Sequence, residues 1–108
     1  VGTLSTHVLD TSLGHPAAGV AVTLTTTDGT ELAKATTDAD GRVGALGPEV
    51  LEAGDYVLTF ATGAYFAQSG VRGFYPQVTV AFTISDGTEH FHVPLLLSPF
   101  GYSTYRGS

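Results

Sequence analysis

Gln77-Val78-Thr79-Val80-Ala81-Phe82-Thr83-Ile84-Ser85-Asp86-Gly87 is the most strictly patterned stretch of the chain. Val78, Val80, Phe82 and Ile84 alternate with Gln77, Thr79, Ala81 and Thr83. A period of two places one set on a buried face and the other on a polar face, so Phe74 to Ser85 is predicted as a strand. Asp86-Gly87 follows at once, a pair suited to a tight turn, and Glu89 to Leu97 is expected to fold back on that strand as a hairpin. On this returning run Phe91, Val93 and Leu95 face away from His90 and His92. Pro94 has no amide to donate, which predicts an edge strand or a bulge there.

Working outward, Tyr56 to Thr62 reads as a strand with Tyr56, Leu58 and Thr62 opposing Val57, Thr59 and Ala61. Gly63 to Gly70 is the one place suited to a turn or two of helix. Val20 to Thr27 alternates Val20, Val22 and Leu24 against Ala21, Thr23 and Thr25. Asp28-Gly29 then predicts a hairpin into Glu31 to Thr37. Leu4 to Asp10 sets Leu4, Thr6, Val8 and Asp10 against Ser5, His7 and Leu9. Gly44 to Gly54 shows no period. The tail, Phe100 to Ser108, carries three aromatics and an arginine, which predicts a final strand docked on the sheet or on a neighbouring subunit. Turn signals recurring about every ten residues, without an internal repeat, indicate an all-β sandwich or barrel.

A length of 108 residues suits one domain spanning 1–108, and 43% hydrophobic against 13% charged residues supplies a core to bury. The absence of cysteine rules out disulfides, zinc-thiolate sites and cysteine nucleophiles. A net charge of −6 with only Lys34, Arg42, Arg72 and Arg106 as basic residues argues against nucleic-acid or anionic-membrane partners. No apolar run approaches the roughly 20 residues of a bilayer span. The cytoplasm is the expected compartment, with export left open because position 1 is not methionine. No Gly-x-Ser-x-Gly elbow or phosphate-cradling glycine pattern occurs.

The groups that titrate near neutrality are His7, His15, His90 and His92. His15, in a Gly-His-Pro turn, reads as a solvated loop residue. His90 and His92 stand about 6.6 Å apart if extended, at roughly 3.3 Å per residue. With His7 as a third ligand they could bind zinc; the plainer reading is partly exposed histidines bonded to the backbone. A metal-free site would use one histidine as general base toward water and a guanidinium to stabilise the oxyanion of a carbonyl under attack. The same positive charge keeps imidazole neutral and able to accept a proton. Arg42 and Arg106 are candidates. The plainer reading of Arg42 is a solvated turn residue paired with Asp38 or Asp40.

Leu4-Ser5-Thr6-His7-Val8-Leu9-Asp10, Pro16-Ala17-Ala18-Gly19-Val20, Asp40-Gly41-Arg42, the run from His90 to Pro99 and the terminal Tyr105-Arg106-Gly107-Ser108 together resemble the transthyretin-related family. The last motif resembles its hydrolase branch. The resemblance covers essentially the whole chain in order. It implies a transthyretin-like sandwich of two four-stranded sheets with one short helix, and a homotetramer built as a dimer of dimers with its sites at the dimer-dimer interface. It also implies hydrolysis of 5-hydroxyisourate to 2-oxo-4-hydroxy-4-carboxy-5-ureidoimidazoline in urate degradation, without cofactor or metal. By motif, His7, Arg42 and His92 would be the catalytic set. Tyr105 and Ser108 would bind substrate beside His7 and Arg42, with Arg106 as a neighbour able to meet an α-carboxylate on Ser108. Phe91 stands where tyrosine is frequent, and Asp38 where asparagine is. Two alternatives stay open: a non-catalytic tetramer that binds a small ligand, and a zinc hydrolase using His7, His90 and His92.

Overall fold

Alternation alone builds the first strand, β1 (Leu4–Asp10): Leu4, Thr6, Val8 and Asp10 are all buried, as a period of two requires. The computed structural model describes residues 4–86 and 89–107. After β1 come β2 (His15–Pro16), β3 (Ala21–Thr26), β4 (Glu31–Thr36), β5 (Arg42–Val43) and β6 (Gly54–Phe60). A helix, α1 (Thr62–Gln68), precedes β7 (Val78–Ile84), β8 (Phe91–Ser98) and β9 (Gly101–Thr104). The predicted hairpin at Asp28-Gly29 forms, with β3 and β4 antiparallel and Gly29 at a φ of 91°.

The strands make two sheets. One has the antiparallel order β4-β3-β6-β7. In the other, β1 runs parallel to β8, and β9 closes the far side of β8. The free edge of β1 is divided between β5, at Thr6 and His7, and β2, at Leu9 and Asp10. That sheet is therefore four strands wide, with one edge position filled by two short strands. Between the sheets lie Leu4, Val8, Val22, Leu24, Leu58, Phe60, Val78, Ile84, Leu95 and Leu97, all but fully buried.

Four expectations are corrected. The hairpin predicted between the Phe74–Ser85 strand and the Glu89–Leu97 run does not form, because β7 pairs with β6 while β8 crosses to the other sheet. The reason lies in β8 itself. Val93-Pro94-Leu95-Leu96-Leu97 is a nearly continuous apolar run, suited to a central strand with neighbours on both sides. Pro94 accordingly lies in a central strand, not at an edge. Nor does it cause a bulge. The β8–β9 register from Ser98↔Gly101 to Leu95↔Thr104 resumes unshifted at His92↔Gly107, so the missing amide interrupts the ladder without displacing it. β7 starts at Val78 and not near Phe74: the Phe74 amide donates to the Pro99 carbonyl, 2.7 Å away, and Pro76 has no amide for a ladder. The strand read as Tyr56–Thr62 is observed at Gly54–Phe60, and Thr62 already begins α1.

The helix is tied to β1 by a buried bond. Tyr65 donates its hydroxyl to Asp10 Oδ2 at 2.7 Å, while Asp10 Oδ1 accepts the Ser12 amide, the Ser12 hydroxyl and the Leu13 amide. Burial pushes the Asp10 carboxyl up, but the bonds from Ser12, Tyr65 and Leu13 outweigh it and hold the group below its ordinary value. Burial and the adjacent carboxylate push the Tyr65 phenol up to about 12. Tyr65→Phe leaves one buried carboxylate oxygen unpaired and is expected to cost about 1.5–3 kcal/mol at neutral pH. Because the folded pKa of Asp10 is depressed, its share of stability is present above the ordinary carboxyl range and lost as pH falls through the folded value. Urea denaturation at pH 7 and below pH 3.8 checks both, the difference between wild type and variant shrinking in acid.

Candidate active site

The register of two ladders assembles the site. Between β1 and β8, Ser5 lies opposite His92 and His7 opposite Pro94. Between β1 and β5, His7 lies opposite Arg42. Residues opposite one another in a ladder point to the same side. Ser5, His7 and His92 thus occupy the sheet face turned away from the core, while Leu4, Thr6, Phe91 and Val93 fill the buried face. Ser5 Oγ lies 2.8 Å from His92 Nδ1 and 2.9 Å from His90 Nε2.

Arg42 and His7 are placed by one turn. Asp38 Oδ1 accepts the amides of Asp40 and Arg42 at 2.9 and 3.0 Å, an arrangement that folds the chain back on itself. The Asp38 carboxylate therefore serves the backbone of the turn. Gly41 sits at a φ of 74°, its carbonyl takes the Val8 amide at 2.7 Å, and a Cβ there would lie 2.4 Å from the Val8 carbonyl oxygen. Only glycine fits. The turn directs the Asp40 carbonyl at His7 Nε2, 2.9 Å away. A carbonyl can only accept, so His7 carries its proton on Nε2 and keeps Nδ1 for other uses.

Arg42, His90 and His92 line a hollow of about 270 Å³ with Ser5, Val43 and Gly44. Burial, and then the charges of His7, Arg42 and His90, push the His92 imidazole below its ordinary 6.5. A neutral imidazole beside a fixed guanidinium combines a proton acceptor with a cation for developing negative charge. Among the described residues no group of three His, Asp or Glu side chains converges to hold a metal ion. His7, His90 and His92 are therefore not gathered into the set that a zinc site would need.

The tail reaches the same place. The Gly107 amide donates to the His92 carbonyl at 2.8 Å, and a Cβ on Gly107 would come within 2.6 Å of His92 Cδ2. Tyr105 is exposed and lines, with Arg106, Phe91 and Val93, a second hollow of about 300 Å³, and His92 is the residue common to the lining of both. Arg106 lies across the Phe91 ring at 4.6 Å and pairs with Glu89 at 3.1 Å. It is thus engaged by a side-chain carboxylate. Ser108, with the pairing expected of its terminus, falls outside the described residues. Sequence reasoning reaches neither Ser5 nor Gly107 as site residues. Ser5 shares a strand face with His7, but its meeting with His92 depends on a parallel register that no local pattern encodes.

Comparison with known proteins identifies the family of the chain. Residues 4–107 match the model of the HIUase/Transthyretin family. The chain belongs to the HIUase/Transthyretin family. It is 50% identical over 109 residues to the 5-hydroxyisourate hydrolase of Salmonella typhimurium, an alignment covering 97% of this chain and 80% of that protein. The solved structure of Klebsiella pneumoniae 5-hydroxyisourate hydrolase superposes with a TM-score of 0.91 at 46% identity, covering 99% of this chain and 100% of that one. Sea bream transthyretin, solved with thyroxine, superposes at 0.89 with 36% identity over 97% of this chain and 94% of that one. The HIUase/Transthyretin fold is thus shared by a protein named as a hydrolase and one solved with thyroxine.

The lowered His92 pKa is open to direct measurement. Its NMR titration midpoint is expected below 6.5, and Arg42→Gln should raise it only in part, since burial is the larger cause. The folded imidazole resists a proton that the unfolded one accepts, so His92 subtracts stability as pH falls from the ordinary histidine range toward its folded value. A midpoint at or above the ordinary value would contradict this account.

Proposed function

We propose that this chain hydrolyses 5-hydroxyisourate. What carries the reading is the pairing of Arg42 with His92 on one hollow, in a chain half identical to a hydrolase of that name. Water adds to the ring carbonyl at C6, giving up one proton to an imidazole as its oxygen bonds to carbon. The N1–C6 bond then breaks as N1 takes that proton, and the former carbonyl becomes the carboxyl group of 2-oxo-4-hydroxy-4-carboxy-5-ureidoimidazoline, which releases water's second proton to solvent as it ionises. His92 serves as the proton acceptor and His7 as its partner in proton delivery. Arg42 balances the oxygen-rich substrate and the tetrahedral oxyanion. Tyr105 and Ser108 supply hydrogen bonds to the substrate.

The working unit in this reading is a homotetramer, a dimer of dimers, with residues 1–108 acting as one domain. The support is geometric: a hollow on an open sheet face covers only one side of a purine-sized molecule, and a second copy facing it would supply the other. The cytoplasm remains the compartment we infer; among the described residues no helix is long and apolar enough to cross a membrane.

The test generates fresh 5-hydroxyisourate with a urate oxidase and follows its loss against the spontaneous rate. Acceleration is expected, undiminished after exhaustive chelation. His92→Asn should lower kcat by at least about 100-fold, the scale of general base catalysis, with the oligomer unchanged by size-exclusion chromatography. Absence of acceleration by the wild-type protein, together with binding of an aromatic ligand, would point instead to a transthyretin-like carrier. A short extension fused after Ser108 is expected to depress turnover while leaving the fold intact by circular dichroism. Unchanged kinetics would remove the terminus from the site.

A further inference from the structure

Ser5 Oγ stands between two imidazoles, 2.9 Å from His90 Nε2 and 2.8 Å from His92 Nδ1. A hydroxyl has a single proton to donate. It can give that proton to one ring only, and to bond both it must accept from the other. The tautomers of His90 and His92 are therefore tied together through Ser5. In one arrangement Ser5 donates to His92 Nδ1, so that His92 carries its proton on Nε2. In the other, His92 donates from Nδ1 to Ser5 Oγ, Ser5 donates to His90 Nε2, and His92 Nε2 keeps its lone pair.

We propose that the second arrangement is the working one, with His90 and Ser5 as positioning residues that hold His92 as the Nδ1–H tautomer so that its Nε2 takes the proton from water. The proposal rests on the hydrolase reading above. When Nε2 accepts that proton, the bond from Nδ1 to Ser5 is already formed and the chain through Ser5 to His90 stays in place. The alternative would require the hydroxyl to reverse. Turning the ring over would exchange Nδ1 for Cδ2 at Ser5 and forfeit that bond, and the ring's Cδ2 edge packs against Gly107, where a Cβ would stand 2.6 Å away. Ser5 is itself buried, at 8% exposure, which limits competition from water.

The charge of this support is as informative as its geometry. A carboxylate behind His92 would fix the same tautomer but would also stabilise imidazolium and raise its pKa. A hydroxyl backed by an imidazole fixes the tautomer and adds no negative charge. His92 thus stays neutral among Arg42, His7 and His90, the three groups whose charges act on it. The first histidine of the His-Phe-His segment also acquires a role here, as the acceptor of the Ser5 proton.

Two measurements test the proposal. The first reads the tautomer itself, by long-range proton–nitrogen correlation on histidine-labelled protein above the ordinary imidazole titration range. His92 is expected mainly as the Nδ1–H form in the wild type and as a mixture, or mainly the Nε2–H form, in Ser5→Ala. A wild-type His92 in the Nε2–H form, or a ratio untouched by Ser5→Ala, would overturn the proposal. The second is kinetic. Ser5→Ala should lower kcat about tenfold with KM within about twofold, and Ser5→Thr, which keeps the hydroxyl, should recover most of the loss. His90→Gln, whose side-chain carbonyl can accept from Ser5, should retain more activity than His90→Ala. Equal activity of Ser5→Ala and the wild type would also overturn the proposal. If the wild-type protein itself fails to accelerate the reaction, the hydrolase reading falls, while the tautomer measurement still decides whether Ser5 sets the state of His92.

Discussion

The parallel pairing of β1 with β8 is the constraint on which the rest depends. It joins the first described strand to the last long one over seven consecutive register pairs, from Leu4↔Phe91 to Asp10↔Leu97. On the inner face that register stacks Leu4, Val8, Leu95 and Leu97 into the core. On the outer face it sets Ser5 against His92. A slip of one residue would exchange the two faces and bury imidazole in place of leucine. Core stability and site assembly are thus one requirement. Thr6 shows how closely the inner face is satisfied: its buried hydroxyl donates to the Val93 carbonyl at 2.6 Å, so a polar side chain between the sheets has its partner across the same ladder.

Around this ladder the turn from Asp38 to Arg42 adds the second half of the chemistry. A single carboxylate, Asp38, accepts two backbone amides and shapes a loop that presents a carbonyl to His7 and the Arg42 side chain to the hollow. The site is cationic within an acidic chain, and its members are supported by neutral groups: a carbonyl behind His7 and a hydroxyl behind His92. A neutral support fixes the geometry of its ring without adding the negative charge that would favour imidazolium.

Much of this was legible in the residues. Period-2 alternation places β1, β3 and the core face of β7, and Asp28-Gly29 specifies the β3–β4 hairpin. Asp86-Gly87 looked equivalent but is not, because turn residues state only that the chain bends, while the partner of the next strand is set by burial. Val93 to Leu97 held the relevant signal: five apolar residues in succession do not suit a strand at an edge. The family resemblance names His7, Arg42 and His92, and the structure sets His7 opposite Arg42 in one ladder and brings Arg42 and His92 to one hollow. Ser5 and Gly107 were not legible, since their importance comes from contacts across 87 and 15 positions of sequence respectively, to His92 in both cases.

Pro94 links the tail to these contacts. Without an amide it cannot complete the ladder opposite Tyr105, and the β8–β9 pairing stops at Leu95↔Thr104. The Thr104 hydroxyl takes up the slack by donating to the Pro94 carbonyl at 2.7 Å. Tyr105 and Arg106 are thereby released from the sheet, and the chain rejoins it only at Gly107, where the absence of a side chain allows contact with the His92 ring. Had residue 94 carried an amide, the ladder could run unbroken and hold Tyr105 in a regular strand. The proline whose missing amide suggests an edge or a bulge instead creates a gap within a central strand, and that gap leaves Tyr105 exposed at a hollow that His92 also lines.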